Sequence, residues 1–298
     1  MRKYIAALSV LLAVCIGIAP AAAETSAPVA ENFEFETYRG VSFGGQLAAV
    51  DPDGDALTFE ITTQPTKGSI ELSDDGKFVY TPAEGKRGRD YFGYKAIDAE
   101  GKRSQEATVI IRLLKNKSVT YADMDGSASY YSAVRLAQTG AFVGKQLGGE
   151  YYFEPDATLS RGEFISMCMN VMGADVLSGV VSTGFVDDGS IPVWQKSYVA
   201  SAVADGVIKG RPSNAGAFFD AQTEINRAEA GVMLDRMLSL ANVSFTESKD
   251  GAPAWAAQSA ANLDACGIMR AELADTSALT RAEAADMLVA ALNVLENR

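Results

Sequence analysis

The sequence contains one tetrad three times: Ser160-Arg161-Gly162-Glu163, Asn226-Arg227-Ala228-Glu229 and Thr280-Arg281-Ala282-Glu283. An apolar run with helical spacing follows each copy, over Phe164–Met172, Ala230–Leu240 and Ala284–Leu295. A serine, asparagine or threonine with a glutamate three residues later forms a capping box, which satisfies the first backbone N–H groups of a helix. The tetrads therefore predict three helix starts, and their recurrence predicts a repeat architecture.

Features around the tetrads recur as well. Trp194 lies 12 residues before Gly206, and Trp255 lies 12 residues before Gly267. An aromatic residue with a nearby acid opens each copy, as in Tyr121 with Asp123, Phe185 with Asp187, and Phe245 with Asp250. We predict a helix, a loop and a second helix in each copy, over residues 119–178, 179–241 and 242–298.

The arginine after each cap residue is unexpected at a helix start. A cation at the first helical position opposes the helix macrodipole by roughly 0.3–1 kcal/mol, so it calls for a compensating partner. A helix N-terminus with a guanidinium is a good receptor for a carboxylate or a phosphate. The alternative is an ion pair with an aspartate of a neighbouring copy. We favour anion binding.

The three copies resemble S-layer homology repeats, over residues 119 to 295. The second copy carries the resemblance best, through Phe185-Val186-Asp187, Trp194, Gly206-Val207-Ile208-Lys209-Gly210, Phe218–Asp220 and its tetrad. The resemblance implies an all-α, three-pronged spindle with pseudo-threefold symmetry. It also implies that grooves between the prongs bind secondary cell-wall polysaccharide or a peptidoglycan-linked polymer, often through a pyruvate ketal, and so anchor the protein to the envelope.

On this basis the predicted polysaccharide-binding residues are Arg161, Arg227, Arg281, Asp123, Asp187, Trp194, Trp255, Gly206 and Lys209. Each tryptophan either stacks on a sugar ring or anchors the helical core, and both readings stay open. Lys209, beside the glycine turn, either adds positive charge to the groove or is an exposed loop residue.

Two copies depart from the pattern. In the first copy Ala128 stands 12 residues before Gly140, where a tryptophan is expected. The third copy is seven residues shorter than the others between its glycine and its arginine. We therefore expect the groove that uses Arg227 to be the most competent.

Residues 24–114 have the pattern of a β-sandwich. The runs Leu57–Thr62, Lys77–Thr81, Tyr91–Ile97 and Ala107–Leu113 are rich in β-branched and aromatic residues, and Gly/Asp-rich turn signals separate them. They predict a small antiparallel sandwich, followed by a polar linker at residues 115–118. The segment resembles the cadherin-like, immunoglobulin-fold repeats of bacterial surface proteins.

Asp51, Asp53 and Asp55 alternate around Gly54, which resembles part of a calcium loop. The glutamate that an EF-hand needs does not follow. The alternative is a turn in which aspartate accepts bonds from nearby backbone groups, and we favour the turn. No other cofactor is expected.

Composition restricts the function further. The 298 residues are 48% hydrophobic and 21% charged, which is ordinary for a globular protein. The net charge of −12 argues against a nucleic-acid partner, because phosphate contacts need clustered cations. With no histidine in the chain, serine–histidine and cysteine–histidine catalysis are excluded. A carboxylate-dependent glycosidase remains possible on composition. Once the sandwich and the three repeats are assigned, however, no residues remain for a domain with a catalytic cleft, so we predict that the protein is not an enzyme.

The first 23 residues have the pattern of a signal peptide: Arg2 and Lys3, the apolar run Ile5–Ile18, and Ala21–Ala23. No other long apolar run follows, so we predict an exported protein without a membrane span, located at the cell wall, S-layer or cell surface. Cys168 and Cys266 lie in helix-like apolar stretches, and we predict two free buried thiols. An alternative function is a lattice subunit that self-associates.

Overall fold

The computed structural model describes residues 26–244 and 251–297. The strands of the N-terminal half are Val29–Ala30 (β1), Phe33–Tyr38 (β2), Phe43–Gln46 (β3), Ala49–Val50 (β4), Thr58–Thr63 (β5), Gly68–Leu72 (β6), Lys77–Pro82 (β7), Gly88–Ile97 (β8) and Ala107–Leu114 (β9). The predicted signal peptide lies outside the described residues, and so do Phe245 and Asp250.

The N-terminal half is a two-sheet sandwich. One sheet has the strand order β2-β9-β8-β5 and the other has the order β3-β7-β6, while β1 pairs with β4. Both sheets contribute to one aromatic core, in which Phe78, Tyr80, Phe92 and Tyr94 are almost completely buried. The four predicted runs correspond to β5, β7, β8 and β9, because alternating burial is the pattern of a strand with one face on the core.

One buried carboxylate ties the sandwich turns together. Asp90 accepts hydrogen bonds from the Thr66 and Lys67 N–H groups at 3.0 and 2.8 Å, and from the Tyr80 hydroxyl at 2.9 Å. Burial alone would raise the pKa of the Asp90 carboxyl, but these bonds hold that pKa below its usual value. Asp90 is thus a structural residue.

The prediction of a wholly antiparallel sandwich is wrong at one pair of strands. β2 runs parallel to β9, with Phe33 opposite Val109 and Tyr38 opposite Leu114. These strands are the first and last long strands of the domain, so no hairpin connects them and their relative direction is not fixed by a turn.

The second half is helical apart from two short hairpins. Its described elements are Tyr130–Thr139 (α1), Lys145–Leu147 (β10), Glu150–Tyr152 (β11), Arg161–Val171 (α2), Val193–Ala204 (α3), Arg211–Ser213 (β12), Gly216–Phe218 (β13), Arg227–Leu238 (α4), Ala257–Ala265 (α5) and Arg281–Glu296 (α6). α2, α4 and α6 begin at the tetrad arginines, and each has a complete capping box, as predicted. α1 packs on α6, α3 on α2 and α5 on α4.

The residues that immediately precede the three tetrads are joined to one another by backbone hydrogen bonds, which form a closed triangle. The Leu279 N–H donates to the Ile225 carbonyl at 2.9 Å, Ile225 donates to Leu159 at 2.9 Å, and Leu159 donates to Leu279 at 3.4 Å. All three side chains are buried to 1% exposure or less. The residue before each cap therefore lies at a common centre around which the helix pairs are arranged.

The sandwich and the helices share buried side chains. Tyr38 and Val41, from the end of β2 and the following turn, belong to the same hydrophobic cluster as the helical core. The two halves are thus joined by packed contacts in addition to the polar segment at residues 115–118. None of the helices in the described residues is long and apolar enough to cross a membrane.

Both described cysteines are free, but only one is buried. Cys168 lies inside α2, and complete burial raises the pKa of its thiol to about 12. The prediction that Cys266 is buried is wrong: it caps the C-terminus of α5, immediately before the left-handed turn at Gly267, and is exposed.

We therefore expect one fast-reacting thiol in the folded chain that begins at residue 24. An aromatic disulfide reagent should modify Cys266 within minutes and Cys168 only after unfolding, because a buried thiol with a raised pKa forms little thiolate. Cys266→Ser should remove the fast reaction and Cys168→Ser should leave it intact. Fast labelling that persists in Cys266→Ser would contradict this assignment.

Candidate functional site

The tetrad arginines connect the three copies in a ring. Arg161 donates to the Phe219 carbonyl at 3.0 Å and pairs with Glu229 at 3.0 Å. Arg227 pairs with Glu283 at 2.6 Å and Asp275 at 3.2 Å. Arg281 closes the ring on the first copy. Each arginine is thus held by groups of another copy.

The closing arginine is held by a backbone carbonyl, a carboxylate and an aromatic ring of the first copy. Arg281 donates to the Phe153 carbonyl at 2.6 Å and pairs with Glu154 at 3.0 Å, 127 residues away in the sequence. Its guanidinium carbon lies 4.9 Å from the centre of the Phe142 ring, a cation–π contact, and Arg161 makes the same contact with Phe219 at 5.4 Å. The compensating partner that the helix dipole requires is therefore present inside the fold.

Two of the acidic partners, Glu229 and Glu283, are also the glutamates of capping boxes. Burial would raise the pKa of Glu229, but its hydrogen bond to Arg211 and the charge of Arg161 hold that pKa below its usual value. Glu283 behaves in the same way beside Arg227. One glutamate thus caps its own helix and anchors the arginine of another copy. The alternative of an ion pair between copies is realised, with glutamate as the main acid, while anion binding by the arginines stays a prediction.

The three arginines differ in accessibility. The side chains of Arg161 and Arg281 are 6% and 10% exposed, whereas that of Arg227 is 24% exposed. Arg227 is therefore the tetrad arginine most accessible to solvent, although all three of its nitrogens already donate to Glu283 or Asp275. That the Arg227 groove is the most competent stays a prediction.

Asp123 and Asp187 hold loops. Both oxygens of Asp123 accept backbone N–H groups, from Phe153 at 2.9 Å and Glu154 at 2.7 Å. Asp187 does the same for Phe219 at 2.9 Å and Asp220 at 2.8 Å. Glu154 and Asp220 have positive φ angles of 56° and 57°, a conformation that costs energy for non-glycine residues. The two aspartates thereby stabilise strained turns, which gives them a structural role that the sequence did not reveal.

Trp194 and Trp255 lie on the surface, each 59% exposed. Trp194 is in the first turn of α3, and Trp255 precedes α5 by two residues. The alternative that they anchor the helical core is excluded, which leaves an aromatic face available in each of two copies.

The glycine turn of the second copy carries a group of cations. Gly206 is left-handed, with φ 73°, and a Cβ there would meet only open space. Lys209 is exposed beside it, and Arg211 pairs with Asp220 at 3.0 Å and with Glu229 at 2.7 Å. Arg211 thus shares with Arg161 the carboxylate of Glu229, and Lys209 is the exposed cation beside this pair.

Beside the contacts that join the two halves, a cleft of about 900 Å³ lies between the sandwich and the helices. β3 and β7 form one wall, α6 and the segment after α5 form the other, and Arg227 lies among the lining residues. The sequence analysis missed this cleft because its walls come from two domains that no local pattern relates to each other.

Asp286, which also lines the cleft, is a further residue that the sequence analysis missed. It accepts a hydrogen bond from the Ser129 hydroxyl at 2.7 Å. The protein atoms around it in the cleft partly desolvate its carboxyl and so raise its pKa, with the charge of Glu283 adding to the effect, although the residue remains accessible to solvent. The only sequence signal was a single aspartate in an otherwise apolar run, between Ala285 and Met287 of α6.

The aspartates of the sandwich form a turn. Asp51 Oδ1 accepts the N–H groups of Asp53 at 2.9 Å and Asp55 at 3.2 Å, and Asp53 accepts the Ser26 N–H at 2.6 Å. This is the hydrogen bonding of an aspartate-capped turn. Across residues 26–244 and 251–297, no cluster of three or more acidic or cysteine side chains is arranged to hold a metal ion. Calcium binding here stays an untested prediction.

Comparison with known proteins supports the assignment of the first domain. Residues 25–115 match a family model described as a bacterial cadherin-like domain. The prediction of a cadherin-like, immunoglobulin-type sandwich is thereby confirmed for this part of the chain. The resemblance of the helical half to S-layer homology repeats stays a prediction.

Three relatives share longer stretches with the chain. It is 28% identical to the surface-layer 125 kDa protein of Lysinibacillus sphaericus, over 62% of this chain and 16% of that protein. Exoglucanase XynX of Acetivibrio thermocellus is 26% identical, over 67% of this chain and 18% of the enzyme. The cellulosome-anchoring protein of the same species is 28% identical, over 46% of this chain and 31% of that protein. The chain thus spans less than a third of the length of each relative.

The raised pKa of Asp286 predicts a pH-dependent contribution to stability. An acid whose pKa is higher in the folded state stabilises the fold below its unfolded pKa of about 3.9 and loses that contribution as pH rises through the folded pKa. Asp286→Asn removes this loss, so it should raise Tm slightly, by about 1 °C, at pH 7 relative to the unmodified chain and change it little at pH 4, because solvent screens a side chain that is partly exposed in the cleft.

Thermal melts of both proteins across this pH range measure the difference. Glu283, whose charge acts on Asp286, is present in both proteins, so its own titration largely cancels in the comparison. A constant difference in Tm at every pH would show that Asp286 does not titrate in the folded state as described.

Proposed function

We propose that this chain anchors an exported surface protein non-covalently to the cell envelope, through S-layer homology repeats that bind secondary cell-wall polysaccharide. Its sandwich is displayed as a spacer or adhesion module. The observation that carries this proposal is the exposure of Trp194 and Trp255, each 12 residues before a left-handed glycine. Two large aromatic side chains at equivalent, solvent-facing positions favour a ligand that stacks on them.

The closed ring supports a spindle with grooves between its prongs. Trp255 precedes α5, α5 packs on α4, and the capping glutamate of α4 holds Arg161. Trp194 lies on α3, which packs on α2, the helix that begins at Arg161. An aromatic face and a guanidinium on connected elements fit a saccharide with an anionic substituent, since the ring stacks and the anion pairs with the cation.

The relatives support attachment to the cell surface. One is named as a surface-layer protein and one as a cellulosome-anchoring protein. The matches to the surface-layer protein and to the exoglucanase cover 62% and 67% of this chain, so they overlap and both reach into the helical half. A stretch shared by proteins of such different named activities is better explained by a common means of attachment than by catalysis, and we propose no enzymatic activity.

Trp194→Ala and Trp255→Ala test the proposal. Each should weaken binding to purified, ketal-bearing cell-wall polysaccharide by about 1–2 kcal/mol, roughly tenfold, because the stacking surface is lost. Titration calorimetry measures the affinity, and thermal melts should be unchanged because both side chains are exposed. Val193→Ala is the matched control, since Val193 adjoins Trp194 and is 83% exposed.

Repeating the titration with polysaccharide from which the pyruvate ketals have been removed tests whether the ketal carboxylate is the anion that the protein binds. Binding should weaken strongly if a ketal carboxylate pairs with an arginine. Arg227→Ala is less informative than the tryptophan variants, since it also breaks the pairs with Glu283 and Asp275. Tryptophan variants that bind like the unmodified chain would refute the proposed site.

The match to a surface-layer protein favours one second candidate, a self-assembling lattice subunit. If the chain builds a lattice, purified protein should form ordered sheets visible by electron microscopy. Purified protein that remains monomeric in solution would contradict the lattice function. Anchoring alone predicts a monodisperse species by size-exclusion chromatography in the absence of polysaccharide.

A further inference from the structure

The first copy lacks the exposed tryptophan, and the sandwich occupies its place. Gly140, Gly206 and Gly267 are equivalent left-handed turns with φ angles of 77°, 73° and 67°. Trp194 and Trp255 lie 12 residues before their glycines, and Ala128 lies 12 residues before Gly140. The three positions therefore correspond, and only in the first copy is the side chain small.

Ala128 is in contact with strand β3 of the sandwich. The Gly44 N–H donates to the Ala128 carbonyl at 2.9 Å. A Cβ on Gly44 would lie 2.7 Å from the Cβ of Ala128 and 3.0 Å from its carbonyl oxygen, closer than such atoms approach. Both positions must be small for the strand to reach the helix, and a tryptophan at position 128 would prevent the contact.

Neighbouring contacts fix the same junction. The Ser42 hydroxyl donates to the Ser127 carbonyl at 2.6 Å, and the Tyr38 hydroxyl donates to Gln138 at 2.8 Å. The Tyr38 ring stacks on Tyr131 with centroids 5.7 Å apart. Hydrogen bonds and ring contacts on several residues hold the sandwich in one orientation against α1.

This orientation places the sandwich over the groove of Arg227. Gln46 and Lys77, which are paired across β3 and β7, line the cleft on the side opposite Arg227. Lys77 is held by Asp75 at 2.6 Å and its side chain is 56% exposed, while Arg227 is the most exposed of the tetrad arginines. Each wall of the cleft thus presents a cation that an anionic substituent could reach, among lining acids that include Glu71, Asp264 and Asp286, and the cleft is large enough for a short saccharide.

We propose that the Arg227 groove is a composite binding site, in which the sandwich replaces the tryptophan of the first copy and forms one wall. Its ligand is an anionic saccharide held between Arg227 and the Gln46–Lys77 edge of the sandwich. The ligand class rests on the proposed function, but the two-domain construction of the site does not. The N-terminal domain is then part of the receptor as well as a module displayed by it.

To isolate this groove, we use the full chain with both Trp194→Ala and Trp255→Ala, which removes the stacking surfaces of the other two copies. This double variant is the parent for the further substitutions. Titration with ketal-bearing cell-wall polysaccharide then reports the remaining groove. Adding Lys77→Ala should weaken the residual binding by about threefold to tenfold, the effect of one lost charge-assisted bond at a partly exposed site. Lys86→Ala is the matched control, because Lys86 is an exposed lysine of the same domain that does not line the cleft.

Gly44→Ala tests the junction itself. It should weaken residual binding and enlarge the maximum dimension measured by small-angle X-ray scattering, because the added methyl group pushes the sandwich away from α1. Combining it with Ala128→Gly should restore part of both properties, since the clashing Cβ is removed. Thermal melts establish that each variant is folded.

The outcomes separate this inference from the proposed function. An unmodified chain that does not bind the polysaccharide overturns the proposed function. An unmodified chain that binds, with a parent that retains no binding, overturns the composite site. Lys77→Ala and Gly44→Ala variants that bind as the parent does also overturn the composite site and leave the anchoring function intact.

Discussion

The helical half depends on three arginine–carboxylate links that close into a ring. Each arginine follows the cap of one helix and is held by acids and carbonyls of another copy, and the last link joins Arg281 to Glu154 across 127 residues. A cation at a helix start interacts unfavourably with the helix dipole. The acid of another copy offsets this interaction, and the resulting ion pair links the two copies. The buried triangle of Leu159, Ile225 and Leu279 lies at the centre of this ring.

The ring also decides which polar groups remain for other roles. Both carboxylate oxygens of Asp123 and of Asp187 accept hydrogen bonds from backbone N–H groups. The side chains of Arg161 and Arg281 are almost completely buried. The two tryptophans stay outside, where nothing in the packing requires them. Residues that recur together in the sequence are therefore either bonded inside the fold or exposed to solvent, and recurrence alone does not separate the two groups.

The N-terminal domain breaks the symmetry of the three copies. β3 approaches α1 closely because Gly44 and Ala128 are both small, and the cleft beside this contact has walls from both domains. The absence of a tryptophan at position 128 looks like a degenerate repeat in the sequence. In the structure it is the condition that lets the sandwich dock, since a bulky side chain would occupy the same space.

The sequence by itself determined the elements: strands from alternating runs, helix starts from the capping boxes, and the need for a partner at each tetrad arginine. These are local properties, fixed by spacing within a few residues. The tertiary structure alone decided that the arginine partners are internal, that Cys266 is exposed, that β2 runs parallel to β9 and that the sandwich covers one groove. Those outcomes depend on groups tens of residues apart, or on how a helix end faces solvent, and no local pattern encodes such distances.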